Sequence, residues 1–110
     1  MRGRPVSELL ALPVRIHGIH VGRPTALLVD RHADRLLGFE VACGDGAQRF
    51  LPFSVANVRP DEIALDSALV LIDERDLAFY RSHSRRLDTC GYASPEIDEH
   101  GEIHEALNAA

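Results

Sequence analysis

His100 and His104 stand four positions apart, with Glu96, Glu99 and Glu105 close by. On a helix, residues i and i+4 share a face, and two imidazoles so placed can hold Zn²⁺ or Ni²⁺. Gly101 lies between them and little apolar material surrounds them, so a solvated segment outweighs a metal site and no metal is expected. Cys43 and Cys90 lie far apart with no CxxC spacing, which argues for reduced thiols rather than a disulfide. Cys43 continues an apolar face and reads as a small buried hydrophobe, while Cys90 reads as an exposed thiol. His17 and His20 flank Gly18 with no nucleophile in a useful relation to them. Ser82-His83-Ser84 sets hydroxyls beside an imidazole, but neighbours on a helix point to different faces, and a nucleophile must reach its base. All 12 basic residues are Arg, which removes Schiff-base lysine chemistry and a phosphate-loop lysine. The expectation is no catalytic residue, no cofactor and no enzyme.

Arg81, Arg85 and Arg86, with His83, form a basic cluster beside Phe79 and Tyr80. Such a cluster can grip RNA phosphates, because guanidinium binds phosphate bidentately. It can equally complement a helix dipole, since Asp73, Glu74 and Asp76 lead the segment and the arginines end it. The dipole reading is the stronger one. Leu77, Tyr80, Ser84 and Leu87 form a thin stripe at helical spacing. Leu77, Phe79, Tyr80 and Leu87 are therefore the interface candidates, on a helix that docks on its own domain or builds a homodimer, because interfaces favour aromatics and Arg.

These residues need elements to hold them. Ser7 is placed to cap a short helical turn before Pro13. Val14–Ile16 alternates as a strand, His17–Gly22 should turn, and Thr25–Asp30 is a second strand. Leu36–Cys43 is the clearest strand, with Leu37, Phe39, Val41 and Cys43 expected on one face. Gly44-Asp45-Gly46 then turns into a return strand, Gln48–Phe53, where Pro52 marks an edge, a bulge or the strand end. Ser54–Val58 has room for one helical turn, and Ile63 and Leu65 alternate. Ala68–Ile72 reads as a strand buried on both faces. Strands at this regular spacing favour a small barrel or sandwich over alternating strands and helices. After Asp73 a Gly- and Pro-free stretch predicts a helix, assigned to residues 76–88. Residues 89–110 read as an acidic, partly flexible tail with one helical turn near Glu102–Leu107.

Several of these segments together resemble the PRC-barrel family. Ser7-Glu8-Leu9-Leu10 with Pro13-Val14 resembles its opening, as does Val21-Gly22 followed by an aliphatic strand ending at Asp30. Leu37-Gly38-Phe39-Glu40-Val41 is similar to its x-G-x-x-V strand. Arg49-Phe50-Leu51-Pro52-Phe53 with Val55 and Val58 is similar to its return strand, and Ala68–Ile72 stands for its last strand. Ala11 departs from a frequent Gly, and Pro24 falls where the second strand normally begins. The resemblance spans residues 5–75 and implies a six-stranded barrel, a docking role and no catalytic motif.

The expected architecture is thus all-β: a small six-stranded PRC-type barrel over 5–75, a C-terminal helix and an acidic tail. Net charge supports the division. The chain carries -5 overall, with eight Arg against five acids in residues 1–60 and four Arg against twelve acids after them. A general nucleic-acid binder would need a net basic face, so nucleic acid is disfavoured as a partner. No apolar run reaches the length of a membrane span and no signal peptide is evident, so a cytoplasmic protein without membrane insertion is expected. The function expected is a docking or adaptor module for another protein, and for itself as a dimer. The alternative is an RNA- or ribosome-associated module using Arg81, Arg85 and Arg86.

Overall fold

The structure, a computed structural model, describes residues 4–32, 35–87 and 95–105. The chain is mostly strand, as an all-β class requires. Six of the seven strands of the main sheet follow one another in it: β2 (Val14–Ile16), β3 (Ile19–Asp30), β4 (Leu36–Cys43), β5 (Gln48–Pro52), β6 (Asn57–Val58) and β7 (Ile63–Leu65). Their order is β5-β4-β3-β2-β7-β6, with β2 and β7 parallel and the other neighbours antiparallel. Strands β5 and β6 lie at opposite ends of this order, and the sheet is not closed into a barrel.

The β2–β3 connection is tighter than expected. His17 and Gly18 alone make the turn, both with positive φ (49° and 82°), the geometry whose twist matches a two-residue hairpin. β3 therefore runs twelve residues, straight through Gly22 and Pro24. Pro24 has no N–H to donate, and the register shifts there, with Pro24 opposite Val41 and Ala26 opposite Glu40. A second shift places Leu28 opposite Gly38 but Val29 opposite Leu36. This extra residue breaks the simple alternation of β4. Leu36, not Leu37, joins Phe39 and Val41 in the main core, and Leu37 packs on the other side with Leu28 and Phe50.

The sheet is covered on both sides. A short helix α1 (Val6–Leu10) begins at Pro5 rather than at a Ser7 cap, and its buried Leu9 joins the main core. The opposite side is covered by helix α2 (Glu74–Ser82), whose Leu77 meets Leu28 and Phe50. This helix ends earlier than expected. Ser84–Arg86 is instead strand β8, which pairs with Leu28–Asp30 of β3. The reason lies in β3. Strand β2 pairs only with the first residues of β3, so the far part of the same edge needs another partner for its backbone groups.

Two further expectations fail. Ala68–Ile72 is not a buried strand; Ala68–Val70 is a 3₁₀ turn and Leu69 is 93% exposed. The Ser67 hydroxyl accepts the Leu69 N–H at 3.1 Å, so a local side-chain bond wins over sheet pairing until Ile72 bridges to Phe50. The acidic segment is not simply a tail. β9 (Pro95–Ile97) and β10 (Ile103–Glu105) form a hairpin, and β9 pairs with β1 (Arg4–Pro5) in a separate three-stranded sheet. Ile97 and Ile103 are buried in the main core, and a strand stands where a helical turn was expected. Cys90 lies outside the described residues.

Gly38 stands opposite Pro52 where β4 pairs with β5. A Cβ there would collide with the Leu51 carbonyl and lie 2.7 Å from the Phe50 ring. Gly38→Ala is expected to cost roughly 3 kcal/mol in urea unfolding, at the upper end of ordinary substitutions, because backbone cannot move aside. A cost below about 1 kcal/mol would show that the strands separate freely.

Candidate functional site

The helix face is held by a charge pair the sequence did not single out. Glu40 projects from mid-β4, only 5% exposed. Arg81 of α2 reaches it bidentately, Nη2 to Oε1 at 2.6 Å and Nε to Oε2 at 3.2 Å. The Glu40 carboxylate in turn raises the Arg81 guanidinium further above its ordinary value. Tyr80 stacks on Phe50 with ring centres 4.3 Å apart. A lone acid in an otherwise apolar strand was the available signal for Glu40.

The expected site residues separate accordingly. Leu77 and Leu87 are buried in the chain's own cores, and Tyr80 is half-buried against Phe50. The helix thus docks on its own sheet. Phe79 alone of the interface candidates stays largely exposed (59%), with the His83 ring stacked on it at 4.3 Å. The basic cluster is divided. Arg81 is engaged by Glu40, while Arg85 and Arg86 follow one another along β8, where Arg85 donates to the Asp30 carbonyl at 3.5 Å.

Ser82 and His83 do come within reach, Oγ to Nδ1 at 3.0 Å, because His83 stands just past the helix end. Both groups are turned to capping. Ser82 Oγ donates to the Phe79 carbonyl at 2.8 Å, and His83 Nδ1 lies 2.8 Å from the same oxygen. An Nδ1–H that donates there cannot accept the serine proton, so the pair is not arranged as nucleophile and base.

The C-terminal hairpin gathers a different set of ligand types from the one expected. His100 is in the turn, not beside His104 on a helix. Asp98, Glu102 and His104 instead bring their polar atoms within 4.8 Å of one another. Each already has a partner. Asp98 Oδ1 accepts the N–H groups of His100 and Glu102, both at 2.9 Å, and Oδ2 accepts His104 Nε2 at 2.8 Å. Glu102 faces Arg35 at 3.6 Å. The arrangement is a hairpin clasp, with Gly101 at φ 82° completing the turn. Burial, the largest influence, favours the neutral acid. The His104 bond and the two amides together outweigh it and hold the Asp98 carboxyl below its ordinary 3.8.

A groove of about 750 Å³ opens at the other end of the sheet. Ile16 and Val21 of the first hairpin, Cys43 at the end of β4, and Leu71 and Ile72 line it, with Leu69 at its mouth. Cys43 is half-buried there, more open than its strand pattern implied. Asp45, Asp73 and Asp76 stand around it with Arg49 and His20. Asp45 is paired to Arg49 at 2.9 Å, and that hydrogen bond lowers its carboxyl to about 2. The nearby His17 ring meets the Asp66 carbonyl at 3.1 Å.

Two outcomes follow from this geometry. Arg81→Met is expected to cost about 1–3 kcal/mol, because it strands a buried carboxylate, and Arg81→Met with Glu40→Leu to recover most of that in urea unfolding. Costs that simply add would show the pair to be uncoupled. For Asp98, a lowered folded value means that its stabilisation is complete above the ordinary carboxyl value and lost as pH falls through the folded one. Unfolding curves for wild type and Asp98→Asn are therefore expected to separate above the ordinary carboxyl value of 3.8 and to converge as pH falls through the lowered folded value. A constant gap would deny the clasp.

Among the described residues, no helix is long and apolar enough to cross a membrane. No family model and no curated protein matches the chain.

Proposed function

We propose that this chain is a non-enzymatic docking module of the PRC-barrel kind, working in the cytoplasm, that binds another protein and pairs with a second copy of itself. The observation that carries the reading is the set of large apolar side chains held open to solvent by ordered elements. Leu69 is 93% exposed beside the groove, Ile19 69% at the first hairpin, and Phe79 59% on α2. A contiguous apolar patch marks an interaction site, and Leu69 adjoins the aliphatic groove lining of Ile16, Val21, Leu71 and Ile72. The PRC-like segments support the same reading, since Leu37–Val41 lies on β4 and Arg49–Pro52 on β5, side by side. The main sheet has seven strands with β8 and is open between β5 and β6, so the six-stranded barrel rests on the resemblance alone. The engagement of Arg81 by Glu40 favours a protein partner over RNA, because it removes one of the three arginines an RNA contact would use.

A partner isolated with the chain and then purified is expected to bind it directly, with an affinity that falls less than about tenfold between about 50 and 200 mM salt. Binding to RNA through many phosphates would fall about a thousandfold or more over that range and would overturn the reading. For self-association, Phe79→Asp is expected to convert a dimer to a monomer in light scattering, and an unchanged mass would remove Phe79 from the contact.

A further inference from the structure

We propose that the groove beside Leu69 receives an extended peptide of a partner protein, one that carries an aliphatic side chain flanked by basic residues. The inference rests on the docking reading and specifies its site and partner class. The groove is of the size that seats ligands, and its floor, Ile16, Val21, Leu71 and Ile72, is aliphatic. An aliphatic side chain is its chemical complement. Leu69 is held ready at the mouth: the Ser67 hydroxyl fixes its amide, and three residues later Ile72 is bridged to Phe50 in both directions, at 3.0 and 2.8 Å. Little ordering is left to be done when a partner arrives.

Charge selects the flanks. The rim carries Asp45, Asp73 and Asp76 against the single guanidinium of Arg49. Arg75 lies 3.7 Å from Asp73 and offsets part of its charge, so the three rim carboxylates exceed the nearby guanidinium groups of Arg49 and Arg75 by one. Carboxylates around an apolar, low-dielectric floor concentrate a negative potential that attracts a basic segment. The same rim argues against the other occupants. RNA or an anionic membrane would bring like charge to it. A second copy of this chain, docked by the same patch, would set one acidic rim against another. The Phe50–Ile72 bridge also occupies both backbone groups of Phe50 in the middle of β5, so recognition there is by side chains rather than by an added strand.

Selection of a random peptide library on the full chain tests this, followed by fluorescence polarisation with the enriched peptide. The enriched sequences are expected to place Arg or Lys within two positions of Ile, Leu or Val. Leu69→Asp and the pair Asp73→Asn with Asp76→Asn are each expected to weaken binding by about tenfold or more, the range of an interface hot spot. All three positions are on the surface, and circular dichroism checks that the variants remain folded. Asp73→Arg with Asp76→Arg is expected to shift enrichment toward acidic peptides. No basic–aliphatic consensus, or a consensus whose binding survives both Leu69→Asp and the charge changes, overturns the inference. In the second case docking is by another face and the broader reading stands. A chain that selects no peptide but binds its purified partner likewise loses only this groove.

Discussion

A strand of twelve residues presents more backbone donors and acceptors than one short neighbour can satisfy, and β3 is that strand. Along one edge β4 pairs with it almost end to end. Along the other, β2 takes the first part and β8 the last. Most of the architecture answers this requirement. β2 must fold back at once, hence the two-residue turn at His17 and Gly18. The chain must return much later with Ser84–Arg86, hence the early end of α2. The helix lies on the sheet between the Phe50–Ile72 bridge before it and the β8 pairing after it.

Within that frame, Glu40 decides where α2 settles. A carboxylate on a covered sheet face is costly unless a cation meets it with good geometry, and the fork of Arg81 does so. The apolar contacts of Leu77 and Tyr80 would tolerate some sliding along the sheet. A bidentate pair would not. The charge pair thereby converts a general preference for burial into one position of the helix, and it leaves Phe79 and His83 at the outer side.

The period-two strands were readable from sequence wherever alternation was unbroken, as at Ile63 and Leu65, and so were the turns at Gly18 and Gly46 with their positive φ. The face of Leu37 was not readable, because a bulge is a property of two strands and only one shows in a local pattern. Ala68–Ile72 misled because an apolar run carries no period, and a single hydroxyl at Ser67 redirected it. The hairpin of β9 and β10 was masked by its charge: five acids between residues 95 and 105 suggest solvent, yet Ile97 and Ile103 suffice to bring it into the core. Of the candidate site, the stripe on α2 was visible as apolar spacing. That Leu77 and Tyr80 face inward and Phe79 outward depended on Phe50 and Glu40, residues distant in sequence.

The small sheet has a consequence for the order of folding. Arg4 and Pro5 pair with Glu96 and Ile97, so the earliest strand described finds its partner only after nearly the whole domain has emerged. Such long loop closure is entropically slow, and contacts of this range delay folding. During synthesis, β1 must wait with its backbone unpaired by β9. A chain stopped before residue 95 would keep its large sheet's partners but lose the covering of Ile97 and Ile103 over Leu9's core. It would then offer chaperones and proteases an opening that the finished molecule closes.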